Sequence, residues 1–196
     1  NLLENKVVLI KTKDTETKVT GFENITEAEN LALAGEAVPV GQYAREIFTN
    51  LDIMDQVEAM EINEGKNVTE VLAAVTQGSN EVGVVYATDA ASVADQVEII
   101  AEAPADALKT PVLYPVGMIE DEEALPEEKV AAETFFEYLQ TEDALKVFEE
   151  HGFSPYTAEV EENDTEEAED TQADQKTDSE AEETGEAPTE QEKTAE

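Results

Sequence analysis

Up to Tyr156, apolar and polar positions follow two distinct rhythms. Val7-Val8-Leu9-Ile10 is a β-branched-rich run between lysines, the pattern of a buried strand. Residues 30–34 predict a second, weaker strand, after which Gly35 opens a loop through Val38-Pro39-Val40-Gly41. The period then lengthens, and Tyr43, Ile47 and Leu51, with Ala44 and Phe48 beside them, share one helical face. Residues 57–62 alternate as a strand. Val68, Val71, Leu72 and Val75 fall at i, i+3, i+4 and i+7, an amphipathic helix ending at Gly78. Residues 82–86 and 97–101 predict two strands, and residues 111–119 one long further strand. Two helices follow. Ala132, Phe135, Phe136 and Leu139 face inward on the first, and the second carries Leu145 and Phe148 before stopping at Gly152. Strands alternating with helices argue for an α/β sheet with helices on its faces.

Composition divides the chain in two. From position 157 to 196 there are 17 acidic residues against two lysines, no aromatic residue and one valine. Such a segment buries too little apolar area to offset chain entropy, so it is expected to be a disordered acidic tail. Taking those residues from the totals leaves 32 acidic and nine basic side chains over positions 1–156, a net −23 within an overall −38. A body this acidic is repelled by nucleic acid phosphates and by anionic lipid, which excludes nucleic acid as a partner. It also suits work in salty or alkaline surroundings outside the cytoplasm.

Candidate chemistry is sparse. The chain has no cysteine, so disulfides, thiolate metal sites and a cysteine nucleophile are all absent. No apolar run approaches the ~20 residues that span a bilayer. The single histidine, His151, stands beside the Gly152 stop, where it suits the helix dipole as a C-terminal cap. There is no Gly-x-Ser-x-Gly elbow, Walker loop or histidine-rich metal spacing. Asp121-Glu122-Glu123 lacks a calcium-loop motif and reads as a solvated charge run. No enzyme activity is expected.

Two helix starts and one strand end carry more information. Asn67 stands directly before Val68 with Glu70 three residues on, a capping-box-like start. Pro39 precedes Val40 and Gly41 at the start of the Tyr43–Leu51 helix, and glycine in a first turn permits close approach to the main chain. First-turn N–H groups and the helix dipole both favour an anion. Tyr86, ending a strand, adds a hydroxyl donor.

The run Val38-Pro-Val-Gly-Gln-Tyr-Ala-Arg-Glu resembles the Val-Pro-Ala-Gly-x-Tyr-Ala segment of molybdate-binding proteins, the substrate-binding components of molybdate ABC transporters. Asn67-Val-Thr-Glu-Val-Leu-Ala-Ala-Val-Thr-Gln-Gly is similar to that family's next ligand helix, and Glu81-Val-Gly-Val-Val-Tyr-Ala-Thr-Asp-Ala to its Gly-x-Val-Tyr-x-x-Asp-Ala signature. Tyr114-Pro-Val, Phe135-Phe-Glu-Tyr-Leu and the segment from Phe148 to the closing Gly-Phe at Phe153 continue the match in order.

The resemblance implies a two-lobed, Venus-flytrap protein of the periplasmic-binding type. Residues 1–11 would cross from a partial first lobe, 12–111 would form a complete second lobe, and 112–156 would return to the first. The family's oxyanion contacts fall on the main-chain N–H of Val40, the N–H of Val68 and the hydroxyl of Tyr86. Position 40 is alanine in the usual pattern, so valine is expected to tighten or crowd the pocket. The family's first strands and two serine-bearing loops precede the point where this sequence begins, so an N-terminal truncation is expected. The implied function is extracytoplasmic capture of molybdate or tungstate by a monomer, without a cofactor, and delivery to an ABC permease. Membrane association is expected only through an anchor upstream of Asn1. The alternative reading is the oxyanion-sensing domain of a transcription regulator, and further alternatives are an acidic interaction protein with a degenerate pocket and, last, an enzyme of phosphate-ester chemistry.

Overall fold

The computed structural model describes residues 1–157; of the disordered tail expected over 157–196, all but the first position lies outside the described residues. Strand β1 (Leu3–Asn5) is separated from β2 (Val7–Thr12) by Lys6 alone, yet the two belong to different sheets. Val7 to Ile10 are at most 1% exposed, as a strand flanked on both sides and covered on both faces requires. A 3-10 helix at Phe22–Glu27 then sends Phe22 and Ile25 into the core.

From there the chain winds between strands and helices. β3 (Leu31–Ala34), buried at all four positions, leads to α1 (Pro39–Asn50) and the short α2 (Met54–Glu58). β4 (Ile62–Gly65) leads to α3 (Val68–Thr76), and β5 (Val82–Tyr86) runs straight into α4 (Ala87–Ser92). β6 (Val97–Glu102) completes a five-stranded sheet of order β4-β3-β5-β2-β6. β3 is parallel to both β4 and β5, whereas β2 is antiparallel to β5 and β6. Phe48 of α1 meets Phe22 at a ring-centroid distance of 6.3 Å, and both are fully buried.

The rest of the chain returns to β1. β7 (Val112–Tyr114) pairs with it antiparallel, and α5 (Pro126–Tyr138) and α6 (Glu142–Glu150) precede β8 (Ser154–Pro155), which pairs on its other side. His151 forms the C-cap of α6 and Gly152 turns the chain at φ +89°, as the sequence predicts.

Three expectations are corrected. The strand predicted over 57–62 is instead the end of α2, with Val57 buried, and the strand lies later, at Ile62–Gly65. β4 is an edge strand whose Asn63 and Glu64 face solvent, so apolar alternation does not mark it. The long strand over 111–119 stops at Tyr114, which pairs with Leu3. Pro115 follows and has no N–H for a ladder, and Ile119 is 94% exposed. Finally, α5 buries none of its residues: Ala132 and Phe135 are exposed, and Phe136 and Leu139 only half-buried. An apolar stripe marks an amphipathic helix without supplying the surface it packs on. Among the described residues, no helix is long and apolar enough to cross a membrane.

Candidate functional site

β3 lies between two parallel neighbours, with Leu31 opposite both Ile62 and Val82. The carboxyl ends of β4, β3 and β5 therefore share one edge of the sheet, the edge where ligands of open α/β sheets gather. Each strand end feeds a helix N-terminus, α3, α1 and α4 respectively. The Gly35 N–H donates to the Gly65 carbonyl at 2.9 Å, tying the first two ends together. The rings of Tyr43 and Tyr86, 6.4 Å apart edge to face, tie α1 to the end of β5. Val40, Val68 and Tyr86, the three residues singled out in the sequence, are thus brought to one edge.

Local chemistry explains each position. α1 begins at Pro39 after Val38, with no side chain capping it, so its first-turn N–H groups keep no intrahelical partner. Gly41 presses against the carbonyls of Ala34 and Gly35, where an added Cβ would collide with both oxygens. Arg45, one turn on, donates from Nη1 to the Ala34 carbonyl at 2.8 Å and to the Gly41 carbonyl at 3.0 Å. Its Nη2 meets Glu64 Oε2 at 3.2 Å. The only arginine of the chain is therefore spent on main chain and on β4, bolting the first turn of α1 to the sheet edge.

At α3, the Asn67 side chain accepts the Glu70 N–H at 2.9 Å, while Glu70 Oε2 accepts the Lys66 N–H at 2.8 Å. This cap engages the third helical amide and leaves that of Val68 outside it. Val40, where the usual pattern has alanine, is buried in the core at 1% exposure.

Tyr86 is half-buried at the end of β5. Burial, then the Tyr43 and Tyr114 phenols and the Asp89 carboxylate, push its pKa far above the usual tyrosine range. The hydroxyl stays protonated, a permanent donor. Asp89 Oδ2 accepts the Tyr86 N–H at 3.2 Å. Burial raises the Asp89 carboxyl, and that same N–H opposes the rise. A groove of about 580 Å³ lies at the opposite edge, by the amino ends of β3 and β5, lined by Glu16, Glu27, Glu29 and Glu81 with Lys18. Its acidity makes it a poor place for an anion.

Sequence reasoning missed Arg45, Asp89 and Asn5. Arg45 and Asp89 carried a spacing signal: four residues after a helix-opening glycine, and three after a strand-ending tyrosine. Asn5 carried none beyond being polar beside an apolar run. Its Nδ2 donates to Thr88 Oγ1 at 3.0 Å and reaches the Tyr114 hydroxyl at 3.5 Å.

The family model for bacterial extracellular solute-binding proteins matches residues 1–154. The chain belongs to that family. It is 42% identical over 154 residues to YvgL, a proposed ABC transporter substrate-binding lipoprotein of Bacillus subtilis (strain 168), covering 78% of this chain and 56% of that protein. It is 38% identical over 117 residues to the molybdate-binding protein ModA of Haemophilus influenzae, covering 60% of this chain and 43% of ModA. Among solved structures, the substrate binding domain of a proposed molybdenum ABC transporter from Clostridium difficile superposes with a TM-score of 0.69 at 31% identity, over 79% of this chain and 65% of that one. The resemblance to molybdate-binding proteins is borne out, and the fold is of the two-lobed periplasmic-binding type. The family binds solutes and is not one of enzymes. The chain spans about half the length of the curated relatives it matches.

Proposed function

We propose that this solute-binding protein captures a tetrahedral oxyanion, molybdate or tungstate, outside the cytoplasm and hands it to an ABC permease. On this reading the five-stranded sheet, which takes in β2 from Val7 onward rather than starting at position 12, forms one lobe, and β1 with residues 112–156 contributes to the other. The N–H groups of Val40 and Val68 and the hydroxyl of Tyr86 hold the anion. The observation that carries the reading is the arrival of two first-turn amides that no side chain caps, and of the Tyr86 hydroxyl, at a single sheet edge. Relatives named for molybdate point the same way.

The chemistry suits an unprotonated dianion. Every group offered is a donor, and Arg45 of α1 is already committed to carbonyls. Phosphate, which keeps a proton at neutral pH, would seek an acceptor that this set does not supply, and that mismatch discriminates against it. The overall negative charge is no obstacle, because exposed charges beyond ~8 Å are largely screened at physiological salt.

Calorimetric titration with molybdate, tungstate, sulfate and phosphate tests the reading. One-to-one binding of the first two is expected, weakened in Tyr86→Phe by about 1.5–3 kcal/mol, the worth of a hydrogen bond to a charged group. Silence toward all four anions from the folded protein would overturn it.

A further inference from the structure

The two sheets meet at Lys6. On one side of it β1 pairs with β7, and on the other β2 pairs with β6, so the crossing is a narrow antiparallel ribbon. The ribbon is fastened by the Lys6–Glu102 ion pair at 2.6 Å and by the Ala103 N–H on the Val7 carbonyl at 2.9 Å. Asn5 sits at this crossing and is 4% exposed, one of two buried polar residues among those described. Its Oδ1 accepts the Lys6 N–H at 2.9 Å, and its Nδ2 serves Thr88 and Tyr114.

Thr88 is the second residue of α4, the helix that Tyr86 caps. The first turn of that helix is held from several directions. The Ala87 N–H donates to the Lys6 carbonyl at 2.9 Å. Gly152, in the turn after α6, lies so close that an added Cβ would stand 3.0 Å from the Ala87 carbonyl and 3.1 Å from Thr88 Cα. Asn5 on β1, Lys6 at the crossing and Gly152 after α6 thus converge on one turn of the five-stranded side. That turn starts at Tyr86.

We propose that Asn5 and Thr88 are a positioning pair, whose part-buried hydrogen bond ties the crossing strands to the Tyr86 end of the proposed site and couples ligand binding to the angle between the two sheets. A change in that angle twists the ribbon at Lys6, and the Asn5 amide carries the twist to α4. Elsewhere the ribbon is held by backbone bonds and an exposed ion pair. The side-chain bond is directional and partly shielded from water, so it favours one geometry. The consequence for affinity rests on the proposed oxyanion site; the mechanical link does not.

The test has two arms on the full chain. In the first, amide exchange is measured on the free protein. Thr88→Val is expected to speed exchange at 87–91 at least fivefold and leave β3 and β5 unchanged, while Thr88→Ser, which keeps the hydroxyl, behaves as wild type. Unchanged exchange at 87–91 in Thr88→Val would overturn the proposal. In the second, molybdate affinity is read by calorimetry. Asn5→Ala and Thr88→Val are each expected to weaken it 5- to 30-fold, with the double variant no weaker than either single one and Thr88→Ser restored. Independent, multiplying losses would also overturn it. If the wild type binds none of the four anions, the proposed function falls and the exchange arm alone decides this inference.

Discussion

Replacing Arg45 with methionine tests the claim that the site edge is held by main-chain bonds rather than by ion pairs. Methionine keeps the buried stem and deletes the guanidinium, whose side chain is 18% exposed. Two hydrogen bonds from a charged donor are lost, to the Ala34 and Gly41 carbonyls at 2.8 and 3.0 Å. Each such bond is worth about 1.5–3 kcal/mol. Water reaches the vacated edge in part, so the lower end applies and the pair sums to about 3 kcal/mol. The partner carboxylate of Glu64 is 62% exposed, and an exposed pair of this kind contributes about 0.2–1 kcal/mol. Arg45→Met is therefore expected to cost about three times as much as Glu64→Gln, with Arg45→Lys between them because an ammonium cannot reproduce the fork. Urea is the right denaturant, since guanidinium would screen the charges under study. Tyrosine near-ultraviolet circular dichroism reports the transition in a chain without tryptophan. Equal losses for Arg45→Met and Glu64→Gln, or a loss below 1 kcal/mol for the first, would refute the reasoning.

Phe48→Ala removes a fully buried ring packed against Phe22 and is expected to cost about 3–5 kcal/mol in the same assay; a loss under 1 kcal/mol would contradict the core described. Burial raises the Asp89 carboxyl, so folding favours its protonated form, and the stability it contributes is present in acid and lost as pH climbs through the raised pKa. Asp89→Asn keeps an acceptor for the Tyr86 N–H and should gain on the wild type between pH 4 and pH 7, whereas a constant difference across that range would count against the burial argument. The net −23 of positions 1–156 predicts a melting temperature that rises steadily with sodium chloride as self-repulsion is screened; a flat response would show that the charges are already compensated.

What was legible in the sequence was whatever a single element writes by itself. Val7–Ile10, the α1 and α3 faces and the glycine stops each announce their own geometry through local rules, and all stand where predicted. The failures are relational. β4 has two solvent-facing polar residues because it is an edge, which only the strand order reveals. β7 takes its register from Leu3–Asn5, a partner more than 100 residues away, although its stop before Pro115 was a local signal the hydrophobic run concealed. At the proposed site, Val40, Val68 and Tyr86 were visible through helix starts and motifs, since those signals are local. Asn5 matters through contacts to positions 88 and 114, and no periodicity encodes a distance of that kind.

Because α5 has no buried residue, unwinding it uncovers little new apolar surface and forfeits little beyond its own ladder. A helix of 13 residues is marginal in water when it stands alone. Its opening is therefore separable from that of the five-stranded sheet, whose Val7–Ile10 strand and Phe48 surrender only in a global transition. Among the described residues, a protease present in trace amounts should cut first between positions 115 and 140 and leave the sheet intact. Helix content and core packing should likewise melt at different temperatures, so a single midpoint would misdescribe the molecule. The cooperative unit of this chain is smaller than the chain itself.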